Sequence, residues 1–570
     1  MLKNIWLFLL SLVISISFAA CTSDPPITET TNTDDGVLRL LYWQAPTILN
    51  PHLSTGFKDY EAGRITLEPL ASFNQQGELV LFLAAEIPSL ENGQVAADGK
   101  SVTWKLKENL KWSDGEPFTA ADVVFTYDYI SNPEVGSSNA GTYEVVESVE
   151  AIDDYTVKVN FKNVNPAWFA VFVGTEGMIL PRHQFADYNG NNARQAPGNQ
   201  LPVGTGPYRV VEFKPGDTVI YEPNSEFRNP DIVAFQRVDL KGGGDATSAA
   251  RAVLQTQEAD YAYNLQVEAN VLNQLVAVGQ GQILSSFGAL MERILINHTD
   301  PNQVTATGER SSLEFPHPFF SDVKVRQAFN LAVDRQLIAE QLYGVTGKPT
   351  ANVLVAPEEY NSLNTNYEFN LAQASQLLDE AGWVDTNNNG IRDRDGQEMN
   401  ILFQTSVNPL RQKTQQIVKQ ALQEIGVEVE LKSIDPSVFF SGDPANNDTI
   451  ERFHADIQMY TTGNTNPDPT AYLQSFTCSA IPQQSNNWSG NNTSRYCNPD
   501  YDQLWQQSAQ ELDPDTRKQI LIQMNDLLVQ EAVLIPMVHR ADVIAISNSL
   551  QGVELTPWDL RTWNIQNWRR

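Results

Sequence analysis

The stretch 385–396, DTNNNGIRDRDG, carries side chains whose types and spacing resemble those of a metal site. Asp385, Asn387 and Asn389 stand two residues apart and a glycine follows them, which is the opening of a calcium-loop pattern. Asp393 falls at the ninth position, but the twelfth position, where an EF-hand places a bidentate glutamate, is a glycine. The stretch therefore predicts either a weak structural calcium site formed by these four side chains or a polar turn without metal.

Residue types that carry out catalysis are scattered along the chain. The six histidines are widely dispersed, and the sequence has no H-E-x-x-H or C-x-x-C motif and no G-x-S-x-G motif between a strand and a helix. A secreted glycosidase would need only two carboxylates placed by the fold, and nothing singles out such a pair among the 69 acidic residues. The sequence therefore predicts a protein without enzymatic activity and without a cofactor, apart from the calcium alternative.

The size and charge of the chain limit its class. A length of 570 residues is too long for a single hydrophobic core and indicates two or three domains. A hydrophobic content of 41% is that of a globular protein. The formal net charge of −31 argues against a nucleic-acid partner, since phosphate binding requires clustered lysine and arginine.

The N-terminus, MLKNIWLFLLSLVISISFAAC, indicates export. One basic residue precedes an apolar run, so residues 1–20 are predicted to be a signal peptide. Two alanines directly before Cys21 resemble a bacterial lipobox, which predicts lipidation of Cys21 and a flexible, proline- and threonine-rich tether over 21–36. The alternative is an ordinary signal peptide next to a coincidental cysteine. Lipidation would hold the protein at a membrane without spanning it.

The two remaining cysteines, Cys478 and Cys497, form an isolated pair. In an exported chain such a pair most simply forms a disulfide. Closing a loop of about 20 residues stabilises a fold by roughly 3 kcal/mol in the chain-entropy model. A thiol nucleophile or a metal site is the alternative, and neither has a histidine nearby in the sequence.

The elements that must position these residues follow an α/β pattern. The first half is rich in alternating strands, such as KSVTWKLKENLKWSDG and YTVKVNFK, with one helix predicted after Thr119 as its N-cap. After about residue 320 helical patterns dominate, namely DVKVRQAFNLAVDRQLIAEQLYG, NLAQASQLLDEAG and LRQKTQQIVKQALQEIG, and each ends at a glycine. Strands such as EVELKSI follow directly, as in βαβ units.

Four segments in this order resemble one family. They are TWKLKENLKWSDGEPFTAADVVFTYDYI, LPVGTGPYRVVEFKPGD, VRQAFNLAVDRQLIAEQLYG and YCNPDYDQLWQQSAQELDPDTRKQILIQMNDLLVQEAVLIPMVHR. Together they resemble the family 5 extracellular solute-binding proteins, the oligopeptide-, dipeptide- and nickel-type binding components of ABC importers. The resemblance extends from about residue 38 to residue 570.

The resemblance implies an α/β, two-lobed, periplasmic-binding-protein-like fold with a hinge and an extra subdomain on the first lobe. The expected boundaries are 37–65, 200–290 and 535–570 for the first lobe, 66–199 for its subdomain and 291–534 for the second lobe. Such a protein closes around its ligand without covalent chemistry. We therefore expect a monomeric, lipid-anchored extracytoplasmic protein, in the periplasm or on the outer face of the cell membrane, that delivers its ligand to an ABC permease complex.

Peptides are the ligand that the resemblance favours, and a loop of the second lobe is where it places them. Relatives use an acidic side chain there to hold the α-amino group of a peptide, and the matching position in MYTTGNTNPDPTAYLQSF is Thr465, between Asn464 and Asn466. The only acid in this loop is Asp468. Either Asp468 or another carboxylate binds the amine, or the ligand has no free amine.

Four aromatic side chains near the expected edges of the lobes either stack on a ligand or pack in the core, namely Tyr42, Trp43, Tyr460 and Trp488. Asparagine-rich loops hydrogen-bond to peptide carbonyls and to sugar hydroxyls equally well. An oligosaccharide or another polar solute is therefore the second ligand class, and a solute sensor is the alternative to an import protein.

Overall fold

The computed structural model describes residues 36–464 and 466–570. The predicted signal peptide, Cys21, almost all of the predicted tether and Thr465 lie outside the described residues. None of the helices in the described part of the chain combines the length and the apolarity required to cross a membrane.

The strands of the described residues fall in two series. The first is β1 (Val37–Tyr42), β2 (Ala71–Phe73), β3 (Leu79–Leu81), β4 (Ser101–Lys105), β5 (Val146–Asp153), β6 (Thr156–Phe161), β7 (Tyr208–Lys214), β8 (Thr218–Pro223), β9 (Arg237–Gly242), β10 (Tyr261–Ala262) and β11 (Gly281–Ser286). The second is β12 (Met291–Ile296), β13 (Gly347–Pro349), β14 (Asp393–Arg394), β15 (Gln397–Glu398), β16 (Asn400–Ser406), β17 (Glu428–Ile434), β18 (Ile457–Thr462), β19 (Leu534–Arg540) and β20 (Asp542–Ser547).

The described residues contain fourteen α-helices, eight of which begin after residue 320. They are α1 (Phe57–Arg64), α2 (Ala120–Ser131), α3 (Ala140–Tyr143), α4 (Arg182–Phe185), α5 (Ala246–Leu254), α6 (Ala269–Val276), α7 (Val323–Leu331), α8 (Arg335–Ile338), α9 (Leu371–Glu380), α10 (Pro409–Glu424), α11 (Pro436–Phe439), α12 (Thr470–Gln474), α13 (Pro499–Ser508) and α14 (Pro514–Gln530).

Two large sheets form the centres of two lobes. The first lobe is built on the seven-stranded sheet β11-β20-β10-β1-β9-β8-β7 and the second on the six-stranded sheet β13-β19-β12-β18-β16-β17. The chain crosses between the sheets twice, from β11 to β12 and from β19 to β20. The fold is therefore the predicted α/β, two-lobed one with two connections between its lobes.

The second crossing lies between Arg540 and Asp542, because β19 pairs with β12 in the six-stranded sheet and β20 pairs with β11 in the seven-stranded sheet. The sequence placed this crossing slightly earlier, at residue 535. The segment 66–199 contains a separate three-stranded sheet, β4-β6-β5, and the pair β2-β3. The exact domain boundaries stay a prediction.

The local sequence explains most of these elements. β1 alternates, so that Leu38, Leu40 and Tyr42 are fully buried on one face of the sheet. At the start of α2, the Asp122 carboxylate accepts a hydrogen bond from the Thr119 backbone N–H at 2.9 Å, as in a capping box. In the second lobe, α10 connects the parallel strands β16 and β17.

The helix expected over 322–344 is interrupted. α7 ends at Leu331, and a new helix, α8, begins at Arg335. The side chain of Asp334 accepts a hydrogen bond from the Leu337 backbone N–H at 2.9 Å and so caps α8 as a separate helix. The prediction of one long helix was therefore wrong, because Asp334 within the amphipathic pattern caps the start of a second helix.

Candidate functional site

A large cleft lies between the two lobes. The volume of the cleft, including the space at its opening, is about 1460 Å³. The first lobe and its 66–199 segment contribute residues 44, 54–58, 60, 138, 139, 142, 175, 176, 263, 264, 266 and 561. The second lobe contributes residues 290, 293, 411, 440, 450, 460–464, 466, 468, 471, 472, 474, 475, 491, 493 and 540. Because both lobes supply its walls, the shape of this cleft depends on the position of one lobe relative to the other.

One wall of the cleft is formed by an arginine among aromatic rings. The Arg293 guanidinium donates a hydrogen bond to the Tyr472 hydroxyl at 2.7 Å. Its Cζ lies 5.2 Å from the ring centre of Tyr460 and 5.7 Å from that of Phe476. The Tyr460 hydroxyl in turn bonds to the Thr493 hydroxyl at 3.2 Å. These contacts fix the orientation of the tyrosines that face the ligand space.

Three other cations at the cleft are held in buried ion pairs. Lys58 Nζ lies 2.6 Å from a carboxylate oxygen of Asp59, Arg411 Nε lies 2.8 Å from Glu292, and Arg561 Nη1 lies 2.9 Å from Glu61. Burial raises the pKa of the Glu61 carboxyl, and the charge of Arg561 opposes that rise. These pairs brace the walls of the cleft.

Two carboxylates border the cleft among its described lining residues, Glu176 and Asp468. Asp468 makes an ion pair with Arg517 at 2.5 Å, and its other oxygen accepts a hydrogen bond from the Thr470 backbone N–H at 2.9 Å. The Glu176 carboxylate accepts a hydrogen bond from the Thr142 hydroxyl. Burial raises the pKa of the nearby Tyr60 hydroxyl, and the negative charge of Glu176 raises it further.

The structure brings four of the predicted ligand-binding residues to the cleft. Tyr460, Asn464, Asn466 and Asp468 all line it. Asn464 Nδ2 donates to the Asn466 backbone carbonyl at 3.0 Å, and the Asn466 side chain accepts from the Asp468 backbone N–H at 2.9 Å. The asparagines therefore shape their own loop in addition to facing the ligand space.

Tyr42 and Trp43 lie in the core of the first lobe and do not line the cleft. The ring of Tyr42 stacks on that of Tyr263 with centroids 4.4 Å apart, because β1 alternates and places Tyr42 on the buried face of the sheet. Trp43 Nε1 donates to the Asn264 backbone carbonyl at 2.9 Å. The prediction that these two rings contact the ligand was therefore wrong for this arrangement of the lobes.

Trp488 lies at a second, smaller cavity of about 430 Å³ with its opening included. The Cζ atom of Arg452 lies 3.6 Å from the centre of the Trp488 ring, which covers one face of the indole. Thr55, Ser138 and Asn491 line both this cavity and the main cleft. The predicted stacking of Trp488 on a ligand in the main cleft is not what the structure shows.

The predicted cysteine pair is bonded in the structure. Cys478 and Cys497 form a disulfide with their Cα atoms 4.6 Å apart. The closed segment contains Asn491 and Thr493, which border the cleft. The disulfide therefore holds part of the second-lobe wall.

The 385–396 stretch lies outside the cleft lining and forms a self-bonded turn. Both oxygens of Asp385 accept backbone N–H groups, of Asn389 at 3.1 Å and of Gly390 at 2.9 Å. The Asp393 carboxylate accepts hydrogen bonds from the backbone and the hydroxyl of Thr386 at 2.9 and 2.6 Å. In the part of the chain that the structure describes, no three histidine, cysteine or acidic side chains are grouped so as to hold a metal ion. The hydrogen bonds account for a turn, and the calcium site stays a prediction.

Arg293 and Glu176 were not singled out from the sequence. The sequence of β12, MERILI, could have indicated Arg293, because it places charged residues within an otherwise apolar strand. The structure shows that all six of its residues are buried. A charged residue within such a strand has to be compensated by a specific partner or face a functional cavity. The sequence around Glu176 has no comparable signal, since only the folding of 66–199 brings it to the cleft.

Comparisons with known proteins agree with this geometry. The family model "Bacterial extracellular solute-binding proteins, family 5 Middle" matches residues 79–483. The oligopeptide-binding protein AppA of Bacillus subtilis is 28% identical over 409 residues, which cover 68% of this chain and 67% of AppA. The dipeptide-binding protein DppE of the same species is 23% identical over 97% of both chains.

The fold is shared with solved structures. The structure of Bacillus subtilis AppA in complex with a nonapeptide superimposes with a TM-score of 0.79 at 23% identity, over 93% of this chain and 98% of that one. The family model covers well over half of this chain. The cleft between two lobes is thus the site of a solute-binding protein rather than of an enzyme, and the chain belongs to the bacterial extracellular solute-binding proteins of family 5.

Proposed function

We propose that this protein captures peptides in the cleft between its lobes and delivers them to the permease of an ABC importer. The observation that carries the proposal is the cleft itself, a space of about 1460 Å³ with walls from both lobes. The relatives AppA and DppE are named for oligopeptide and dipeptide binding, which supports the same ligand class here.

The chemistry of the lining suits a peptide backbone. Asn464, Asn466, Gln474 and Asn491 bring side-chain amides to the cleft, and each amide has both donor and acceptor atoms. A peptide backbone presents alternating N–H and C=O groups, all of which need partners once water is excluded. The rings of Tyr460 and Tyr472 provide apolar surface next to these amides.

Closure is supported by a small number of direct contacts between the lobes. The Thr55 hydroxyl donates to the Phe440 carbonyl at 3.3 Å, and the Ser489 hydroxyl donates to the Ser137 carbonyl at 3.1 Å. The Arg194 guanidinium donates to the Gly442 carbonyl. Each such bond contributes about 1 kcal/mol, so a ligand that touches both walls would add substantially to the closed form.

We further propose that lipidation of Cys21 anchors a monomer to a membrane surface on the extracytoplasmic side. The lipobox-like Ala-Ala-Cys sequence after an apolar run supports this. Mass spectrometry of the protein expressed in a bacterium tests it, because a diacylglycerol on Cys21 adds a defined mass that Cys21→Ala abolishes. An unlipidated protein cleaved elsewhere would contradict the anchor.

Native mass spectrometry and small-angle scattering test the capture of peptides. The protein purified without denaturation is expected to carry peptides, and pools of short peptides are expected to reduce its radius of gyration and to shift its tryptophan fluorescence. The proposal would be contradicted if no peptide pool changed the radius of gyration or the fluorescence and the retained ligand was not a peptide.

Substitution of Gly442, which lies where the two lobes meet, tests whether closure is needed for binding. A Cβ added at Gly442 would lie 2.9 Å from the Leu53 carbonyl oxygen of the other lobe, so Gly442→Ala is expected to hinder closure and weaken binding. A Cβ at Gly190 would first meet the flexible end of Glu134 at 3.3 Å, within the 66–199 segment. Gly190→Ala therefore serves as the control and is expected to bind as the wild type does.

A further inference from the structure

We propose that Arg293 is an anion subsite in the wall of the cleft, so that the captured peptides carry a carboxylate at this point. The proposal rests on peptide capture and specifies which peptides the site prefers.

The first observation is the burial of the Arg293 guanidinium beside the ligand space. Arg293 is 4% exposed and borders the cleft. Its guanidinium has five N–H donors, and the acceptor that the structure gives it is the Tyr472 hydroxyl at 2.7 Å. The Nε atom is buried and has no hydrogen-bond partner among the described residues. A charged donor group this incompletely bonded, at the edge of a cavity, points to an acceptor supplied by the ligand.

The second observation is the contrast with the other cations of the cleft. Lys58, Arg411 and Arg561 each make an ion pair with a buried carboxylate. Arg540 donates to the Asn264 side chain at 2.7 Å and lies in the field of Asp542 and Glu292. Arg293 has no ion pair with any carboxylate of the described residues. Among the described residues that line the cleft, Arg293 and Arg540 are thus the cations without an ion pair, and Arg540 differs from Arg293 in lying in the field of Asp542 and Glu292.

The third observation is the set of rings around the guanidinium. Its Cζ lies 5.2 Å from the ring centre of Tyr460, 5.7 Å from Phe476 and 5.9 Å from Tyr472. Ring faces attract a cation, but they accept no strong hydrogen bond from the remaining N–H groups. They hold the guanidinium in a fixed orientation at the wall of the cleft. A carboxylate can then accept two parallel N–H bonds from it, the arrangement in which arginine binds anions most strongly.

Two parts of a peptide supply such a carboxylate, namely an aspartate or glutamate side chain and the C-terminus. Both present the same planar anion. Pairs of synthetic peptides that differ in a single group separate these sources. In the first set of pairs, one peptide has glutamate and the other glutamine at a single internal position, and each position is tested in turn. In the second set, one peptide has a free C-terminal carboxylate and the other a C-terminal amide.

The test compares dissociation constants of these pairs by isothermal titration calorimetry for the wild type, Arg293→Gln and Arg293→Lys. The wild type is expected to bind the anionic member of one pair about tenfold or more tightly than the neutral member, which is the size of one hydrogen-bonded charge interaction. Arg293→Gln should bind the two members of the pair with equal affinity. The loss of its contacts to Tyr460 and Tyr472 should in addition weaken both members to the same extent. Arg293→Lys should retain part of the preference, since it keeps the charge without the planar fork.

The control is Arg251→Gln, which removes an exposed arginine on α5 that does not line the cleft. It should keep the full preference for the anionic peptide. Thermal melts of all variants show whether each is folded. If Arg293 only braces the rings around it, the variants lose affinity for both members of a pair by the same factor and keep the wild-type ratio between them, and this result overturns the subsite.

The outcomes also separate this subsite from peptide capture. Binding of the peptides to the wild type without preference for the anionic members overturns the subsite and leaves peptide capture standing. Binding of none of the peptides overturns both. A molecule without an anionic group, retained in the cleft and identified by native mass spectrometry, likewise overturns the subsite.

Discussion

Two acidic side chains in the cleft wall, Asp468 and Glu176, are candidates for the carboxylate that binds a ligand amine. Asp468, the acid that the sequence analysis considered for the ligand amine, has Arg517 at 2.5 Å and the Thr470 N–H at 2.9 Å. Glu176 lies in the cleft wall with the Thr142 hydroxyl bonded to its carboxylate. An ammonium group bound next to Asp468 would compete with Arg517. Because Glu176 also lines the cleft, we expect a peptide amine to bind there rather than to displace Arg517 from Asp468.

Substitution of Glu176 tests this assignment. Glu176→Gln keeps the shape and removes the charge, so we expect the affinity for peptides with a free amino group to fall about tenfold or more, the size of one charge-assisted hydrogen bond. N-acetylated peptides should bind the variant and the wild type equally. Calorimetric titration with each pair of peptides measures the difference.

Asp468→Asn is the variant to compare with Glu176→Gln. It leaves the Arg517 guanidinium, whose side chain is 10% exposed, without its carboxylate. Loss of one partner from a buried pair costs about 3 kcal/mol of unfolding free energy, whereas the discrimination between free and acetylated amines should persist. If discrimination is lost in Asp468→Asn and kept in Glu176→Gln, the assignment of the amine to Glu176 is wrong.

At the scale of elements, the sequence predicted what local residues determine. The stretch 410–426 was predicted as a helix, and the structure has α10 over Pro409–Glu424. The Asn408 side chain accepts from the Arg411 backbone N–H at 3.1 Å, and Gly426 takes φ +83° after the helix ends. The strand 428–434 then follows in parallel with β16. Helix caps and alternation are encoded within a few residues, which is why these predictions succeeded.

Contacts between distant segments were not predictable in the same way. Tyr42 has an aromatic ring that could stack on a ligand. Only the pairing of β1 with β10 places it against Tyr261 and Tyr263 instead. Glu176 reaches the cleft through the fold of 66–199, and no neighbouring residue in the sequence indicates this. A single sequence records the types of these residues but not which segments pack together.

The turn after α9 provides a test at the scale of one element. The backbone N–H groups and the Thr386 hydroxyl already bond to Asp385 and Asp393, so the turn should form without a metal ion. We expect the melting temperature to be the same in millimolar calcium and in excess EDTA, and calorimetric titration with calcium to give no binding heat. A calcium-dependent rise in melting temperature that Asp385→Ala abolishes would instead establish a calcium site.

At the scale of the whole molecule, an acidic side chain lies where the lobes meet. Glu451 of the second lobe is 7% exposed and lines the smaller cavity together with Thr55 and Arg194 from the other side. Burial raises the pKa of its carboxyl to about 7, and hydrogen bonds from its own backbone N–H and Thr449, the charge of Arg194 and a hydrogen bond from Thr55 limit the rise. Asp443 and Arg452 also line this cavity. Opening of the lobes would remove Thr55 and admit water, which lowers the pKa towards its ordinary value.

This difference makes closure, and therefore ligand binding, depend on pH. Because the pKa of Glu451 is raised in the closed form, its contribution to closure is present at acidic pH and is lost as the pH rises through about 7. We expect the dissociation constant of a neutral peptide to rise by about tenfold between about pH 5.5 and about pH 8, since the pKa of this carboxyl is higher in the closed form than in the open one. Glu451→Gln should bind with nearly the same affinity at both pH values. Glu424→Gln, at an exposed position of α10, should keep the wild-type dependence. An equal pH dependence in the wild type and in Glu451→Gln would show that closure does not couple to this carboxyl.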